Sequence, residues 1–519
     1  MKDLTTSIYN FEDIIRGNFL YVDKTEYIWQ LIRPAKELYF LSRPRRFGKS
    51  LLISTLKAVF EGKRELFKGL ALYSKPYDWR QYPVLHLDMA NCDARSEDEL
   101  RDYLARMMTR LAQLHNVDVN IQTHQLASSF SDLIEKVAGT SQAVILLDEY
   151  DKPILENIDQ PDVTAIRDTL ADFYSAIKKE MDYERFVFMT GVSKFSHVSL
   201  FSKLNNLTDI TLNQDYAGML GFTEAEIRQY YADRIPDAAK ANDVSEEELM
   251  AQLLSWYDGY RFSEADTHVC NPVSITKFFA NHSKFSNYWD STGTPSFLLK
   301  LMTKQAYDHE AALSEWYGES VFSAYELERL DVTGMLWQTG YYTIKDVKQG
   351  TRGVKYRLGF PDKEVQDTFC IRLLEFYGNL ARGTGDTLIE KMQDAIMADD
   401  LDGFLIILQG VFANIGYKLH IKDEKYYQTI FFVVFLLLGS DIEAESCTNQ
   451  GRIDAYIRTN RTIFIFEFKL DKRPDEALDQ IIDRRYYEKF QSCGLPVRMV
   501  GVNFDSTKGR IGEWKELRS

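Results

Sequence analysis

Between residues 1 and about 215, four short apolar runs recur at wide spacing: LYFLS (38–42), VLHLDM (84–89), AVILLDE (143–149) and FVFMTG (186–191). Near-continuous apolar runs of this length suit strands covered on both faces. The stretches between them, such as Glu97 to Leu114 and 163–181, have helical spacing. Strand, helix, strand, helix leaves few options. The pattern predicts an α/β domain in which a parallel sheet is flanked by helices.

The rest of the chain must be accommodated around that domain. At about 150 residues per domain, the 519 residues predict two to four domains. From 216 to 345 the pattern turns mostly helical, then YYTIKD (341–346) and VKYRLG (354–359) flank KQGTRG and read as a hairpin. The small, polar ARGTGDT stretch (381–387) marks the next boundary. The expected pieces are therefore 1–215, 216–387 and 388–519. In the last, EKYYQTIFFVVFLLLG (424–439) reads as a helix, followed by strand-like DIEAESC (441–447), RIDAYIR (452–458) and TIFIFEFK (462–469), a helix over 476–490 and an apolar run, VRMVGVNF (497–504). The order is α-β-β-β-α-β.

Composition narrows the environment. The net charge of −15 argues against a general nucleic-acid coat protein. It leaves room for a locally basic groove, because counterion release depends on the contact surface alone. The five cysteines lie far apart with no CxxC, which speaks against a disulfide framework or zinc ribbon and for a reducing compartment. The N-terminal MKDLTTSIYNFEDIIRG has no apolar core, so no signal peptide is expected. The longest apolar run, 430–438, is nine residues, against about 20 for a bilayer span. The expectation is a cytoplasmic protein with no membrane partner.

Two motifs carry chemistry. After the first strand comes RPRRFGKSLL (43–52), close to GxxxxGK[ST], the loop whose backbone N–H groups cradle phosphates ahead of a helix N-terminus. Gly48 lets the backbone approach, Lys49 reaches the β/γ-phosphates of ATP, and Ser50 ligates Mg²⁺. The loop residues Arg45, Arg46 and Phe47 complete the nucleotide-binding set, the two arginines either touching phosphate or a partner or standing in solvent. Arg43 occupies the place of the first glycine. The strand AVILLDE then delivers Asp148 for the metal and Glu149 to orient or deprotonate water. Both motifs fall at carboxyl ends of parallel strands, where such sheets bind ligands. At the end of the next strand, Thr190 or Ser193 either senses the γ-phosphate or is an ordinary strand-end hydroxyl.

Taken together, NFLYVDKT (18–25), RPRRFGKS, VILLDEYDKP, TGVSKFS and LNNLTDITL (204–212) resemble the AAA-ATPase-like family of bacterial proteins. LGFPDKEV (358–365) is also similar. The resemblance implies a P-loop domain, and its members commonly carry a C-terminal PD-(D/E)XK nuclease domain. The family tends to lack the first loop glycine, so Arg43 fits its pattern.

The second motif lies in the last piece: GRID (451–454), then FEFK (466–469). Residues two apart in a strand share a face, so Ile463, Ile465, Glu467 and Lys469 line one side and Phe464, Phe466 and Phe468 the other. A two-residue turn at Thr459-Asn460 would place Asp454 opposite Ile465 and diagonal to Glu467. Two converging carboxylates suit Mg²⁺, with Mn²⁺ an alternative. The metal activates water at a scissile phosphate, and Lys469 orients or deprotonates that water or balances charge. This matches the signature and strand order of a PD-(D/E)XK nuclease, a restriction-endonuclease-like α/β fold. Glu424 then matches the accessory acid and Gln480 a supporting residue on the following helix. Lys472, Arg473, Arg484 and Arg485 either track a DNA backbone or form a solvated face.

The resulting expectation is an ATP-binding and hydrolysing protein that controls a fused metal-dependent nuclease acting on DNA. The rival is an ATP-driven regulatory or signalling switch whose inactive nuclease fold only binds nucleic acid or protein. A homo-oligomer is compatible with either.

Overall fold

A computed structural model describes residues 1–194, 206–289, 296–323, 330–413, 424–439, 443–445, 455–505, 507–508 and 510–518. The chain forms two compact units, Met1–Thr292 with Ser314–Val365, and Gly293–Leu313 with Gln366–Ser519.

The first unit is built on a five-stranded sheet: β1 Glu37–Ser42, β2 Val84–Asp88, β3 Ala143–Asp148, β4 Glu184–Gly191 and β5 Thr208–Asp209, in the order β2-β3-β4-β1-β5. Every pairing is parallel. The four expected strands are β1 to β4. All residues of β3 and β4 are buried, as strands covered on both faces require. β5 escapes the pattern because it is two residues long and exposed. Helices Lys49–Phe60, Glu97–Leu114, Leu126–Ala138 and Val163–Lys179 supply the crossovers. The helix Glu97–Leu114 starts where Ser96 accepts a hydrogen bond from the Glu99 N–H, and it buries Leu100, Leu104, Met108 and Leu111.

The middle region adds helices such as Glu246–Tyr257 and Pro272–Ala280, whose starts are capped by Ser245 and Asn271. It also adds a second, antiparallel sheet: β6 Trp316–Gly318, β7 Thr343–Gly350 and β8 Gly353–Gly359, in the order β6-β8-β7. The expected hairpin is β7–β8. The helix Val332–Thr339 precedes it and buries every residue from Val332 to Gln338.

The second unit carries helices Gly385–Met397, Leu401–Ala413 and Glu424–Leu438, then a sheet of β9 Glu443–Glu445, β10 Ala455–Arg458, β11 Ile463–Leu470, β12 Val497–Asp505 and β13 Arg510–Arg518. The order is β13-β12-β11-β10-β9, with only β11 and β12 parallel. The face parity of β11 holds. Phe466 packs on Phe404 and Phe435, and Phe468 stacks on Phe431 at 3.8 Å. Ile463 and Ile465 join the opposite core with Leu478 and Ile481.

Three details differ from the sequence reading. The β10–β11 connection is four residues, 459–462, not a two-residue turn: Arg458 pairs with Ile463 and Ala455 with Phe466. The Thr459 hydroxyl oxygen accepts from the N–H groups of Arg461 and Thr462, and the Thr459 N–H donates to the Thr462 carbonyl. A two-residue turn of the commonest hairpin type would have demanded a positive φ at β-branched Thr459. Secondly, the helix expected over 476–490 spans Pro474–Asp483; Arg485 takes φ +52, and a 3-10 helix, Tyr486–Cys493, follows. Finally, β13 adds a largely polar edge strand that shows no apolar run. Among the described residues, no helix is long and apolar enough to cross a membrane.

Candidate functional site

The phosphate loop joins β1 to the helix Lys49–Phe60. Gly48 takes φ +89 and Arg46 φ +68, so the chain doubles back before the helix begins. The first turn of this 12-residue helix leaves orphan N–H groups at its start, which favour anions. The Lys49 ammonium is buried and donates to the Arg43 and Pro44 carbonyls, each at 3.0 Å. Burial lowers its pKa, while Glu149, Asp148 and Asp151 oppose that shift.

Arg43 is a structural substitute for the missing glycine. Its buried guanidinium donates to the Ser42 and Thr211 carbonyls and lies 4.3 Å over the Phe262 ring. Phe47 is also core, packed edge-on against Tyr260 and Phe262. Arg46 donates to the Tyr288 carbonyl, and Arg45 is exposed. Only the backbone of Phe47 is thus offered to a ligand.

Asp148 ends β3. Burial raises its pKa, and a hydrogen bond with Ser50 pulls it down. The structure therefore brings together the hydroxyl and carboxylate that the two motifs supplied 98 positions apart. Glu149 follows at φ +50, an uncommon conformation for a residue with a side chain and one that collects at functional sites. It is partly buried, and burial lifts its pKa. Thr190 donates its hydroxyl to the Leu41 carbonyl, and Ser193 donates its own to Asp151 at 2.6 Å.

Asp151 is a residue the sequence reading passed over. Its buried carboxylate also accepts from the Val192 and Ser193 N–H groups, while the Tyr150 hydroxyl donates to the Ser193 carbonyl. It therefore ties the exit of β4 to the acids at the end of β3. Asp88, paired in register with Asp148, was missed as well. The signal was visible in both cases: VLHLD ends in an acid at a parallel strand's carboxyl end, and Asp151 stands three residues after Asp148.

The second site sits in the other unit. Glu467 is buried, and its Oε1 accepts from Lys469 at 2.8 Å and from the Gln480 amide. Gln480 reaches it because the helix Pro474–Asp483 lies close on β12. A Cβ added at Gly501 would stand 2.3 Å from the Pro474 carbonyl oxygen and 3.1 Å from the Ala477 Cβ, and Gly501 is the register partner of Glu467. Asp454 and the side chain of Glu424 lie outside the described residues. Among the described residues, no group of three or more His, Cys, Asp or Glu is arranged to hold a metal. Lys472, Arg473, Arg484 and Arg485 are all exposed, with Arg485 paired to Glu488.

Two family models match the chain. One, described as "Predicted AAA-ATPase", covers residues 5–201, and one for the PD-(D/E)XK nuclease superfamily covers 422–514. The chain is 34% identical over 520 residues to an uncharacterized protein in the vnfD 5′ region of Azotobacter chroococcum mcd 1, spanning 97% of this chain and 96% of that protein. Loop, strand-end acids and the Glu467 cluster thus stand in the two stretches that the family models match, and the chain belongs to the AAA-ATPase-like family with a C-terminal PD-(D/E)XK nuclease-superfamily domain.

Proposed function

We propose that the chain binds and hydrolyses ATP at its first unit, and that nucleotide state controls a metal-dependent nuclease acting on DNA at its second. The observation that carries the reading is the Glu467 cluster. A buried carboxylate flanked by an amine and an amide is an expensive arrangement for mere packing. It suits a site that handles charge.

In the first unit, Ser50 and Asp148 form a hard-oxygen pair suited to Mg²⁺. A bound Mg²⁺ would neutralise charge on the triphosphate. Lys49 leaves its two loop carbonyls to meet the β/γ-phosphates, and Glu149 holds the attacking water, its pKa raised toward a working range by burial. Arg45, exposed beside the loop, is free to reach phosphate. Thr190 and Ser193 act as positioning groups, their hydroxyls held by the Leu41 carbonyl of β1 and by Asp151. In the second unit, Glu467 with Asp454 would hold a divalent ion, which supplies an activated water. Asp454 directly precedes Ala455, whose partner Phe466 directly precedes Glu467. Lys469 orients that water, and Gln480 fixes the Glu467 rotamer.

Two measurements test the reading. Lys49→Ala should abolish ATP binding by calorimetry; equal affinity removes the nucleotide site. Supercoiled plasmid with Mg²⁺, with and without ATP, should be cut by wild type and not by Lys469→Ala. Absence of cleavage under every condition, with ATP binding intact, would replace the nuclease with a switch.

A further inference from the structure

The hairpin β7–β8 has no part in either site, yet it is strongly basic in an acidic chain. Residues 343–359 hold Lys345, Lys348, Arg352, Lys355 and Arg357 against Asp346 alone, in a protein of net charge −15. Register sorts them. Lys348 opposes Lys355, Asp346 opposes Arg357, and Trp316 of β6 pairs with Arg357. Opposed residues share a face. One face of the sheet therefore gathers Trp316, Asp346, Lys348, Lys355 and Arg357. The other turns Tyr356 and Leu358 into the core.

Three of the five cations carry no local ion pair or carbonyl partner among the described residues. Arg357 is paired with Asp346, and Lys345 donates to the Pro361 carbonyl at 2.7 Å. Lys348, Arg352 and Lys355 make no ion pair among the described residues. Lys348 lies 3.8 Å over the Trp316 ring, which holds its ammonium in place. Directly opposed like charges destabilise a two-stranded ladder, and here Lys348 and Lys355 face each other with no acid between them. The arrangement costs stability alone and is offset when an anion lies across the face.

We propose that this ribbon docks on the phosphate backbone of duplex DNA, giving the first unit its own DNA contact apart from the nuclease site. β6 pairs with β8 only at 355–357, and beyond it the hairpin runs on as a two-stranded ribbon, which fits the B-form major groove, whereas the A-form RNA groove is too narrow to admit it. The tip, Thr351-Arg352, is exposed and flanked by Gly350 and Gly353, so little side-chain bulk widens it. Lys348 and Lys355 then contact phosphates from one face and Arg352 from the tip.

The inference extends the proposed action on DNA, and its test avoids cleavage. Full-length protein in EDTA is titrated against a labelled 30-base-pair duplex across a salt series. Lys348→Gln/Arg352→Gln/Lys355→Gln should weaken binding at least tenfold near 0.1 M salt. It should also flatten the log–log salt slope by roughly 2.7, about 0.9 per lost phosphate contact. Arg352→Glu, at the exposed tip, should weaken binding in the same direction and guards against misfolding of the triple variant. ATP affinity should not change, and the melting temperature should not fall, because the opposed lysine charges are removed. Unaltered affinity and slope in both variants, absence of duplex binding by wild type, or losses confined to duplex RNA would each overturn the proposal. Duplex binding that is lost in the variants of a protein with no cleavage activity would uphold the ribbon while removing the nuclease.

Discussion

The two sites are assembled by different rules. In the first unit, Lys49, Asp148 and Asp151 come from segments about a hundred positions apart and meet because parallel strands all end on one side of their sheet. In the second unit, Glu467, Lys469 and Gln480 lie within 14 residues of chain on one strand and the next helix. The first arrangement asks each strand only to present its last residues at the carboxyl end of the sheet. The second depends on register, turn length and one helix's depth. Sites built from strand ends draw on the topology of the whole sheet, and sites built along a strand draw on local alternation.

The largest expected effect isolates the second site. Glu467→Gln should lower DNA cleavage by roughly 10²- to 10⁴-fold while leaving ATP hydrolysis unchanged, read by plasmid nicking and phosphate release on one preparation. A parallel loss of ATPase would show that the sites are not separately built. Next, Glu149→Gln should reduce ATP hydrolysis by roughly 10²-fold with ATP binding retained; unchanged turnover moves the water-orienting role elsewhere.

Gly501→Ala sharpens the contrast, because its Cβ would meet a backbone oxygen that cannot move alone. We expect about 1–3 kcal/mol of destabilisation by denaturant unfolding, with cleavage impaired more than ATP hydrolysis as Gln480 is pushed from Glu467. Thr459→Val keeps shape but deletes the acceptor for two N–H groups in the β10–β11 loop. A cost of about 1 kcal/mol, with no change in ATP affinity, is the expected outcome; none at all would mean that Thr459 does not fix the register.

A separate effect concerns the amino-terminal end of the central strand of the first sheet. Glu184 starts β4, and burial pushes its carboxyl up to about 8 from an ordinary 4.5. The folded state prefers the protonated form, so stability should fall as pH rises from about 4.5 through about 8 and then level off. Glu184→Gln should remove this component of the pH profile; an unchanged profile would place the titration on another group.

What the sequence disclosed follows the same division. Four of the five strands of the parallel sheet were readable because each is a largely apolar run, and the face parity of TIFIFEFK was readable because a period of two needs no partner. The β10–β11 turn was misjudged because its length depends on Thr459 bonding back to two N–H groups, a preference that alternation does not encode. The buried Arg43 in a phosphate loop made sense only once Phe262 and Thr211, far along the chain, stood beside it. β13 stayed hidden because its exposed face is polar. Asp151 was in plain view, but its purpose depends on Val192 and Ser193 arriving on the next strand.

One small joint has a wider consequence. The Lys194 N–H, just past β4, donates to the Gln338 side chain, and Gly340, at φ +90, stands so close to the Pro44 ring that no side chain would fit. Gln338 and Gly340 close the helix that runs directly into β7. A nucleotide that displaces either Pro44 or Lys194 must do work on the base of the basic ribbon. Thermodynamic reciprocity then fixes the return: by whatever factor ATP alters the ribbon's affinity for its partner, that partner alters the affinity for ATP. Measuring either number yields the other.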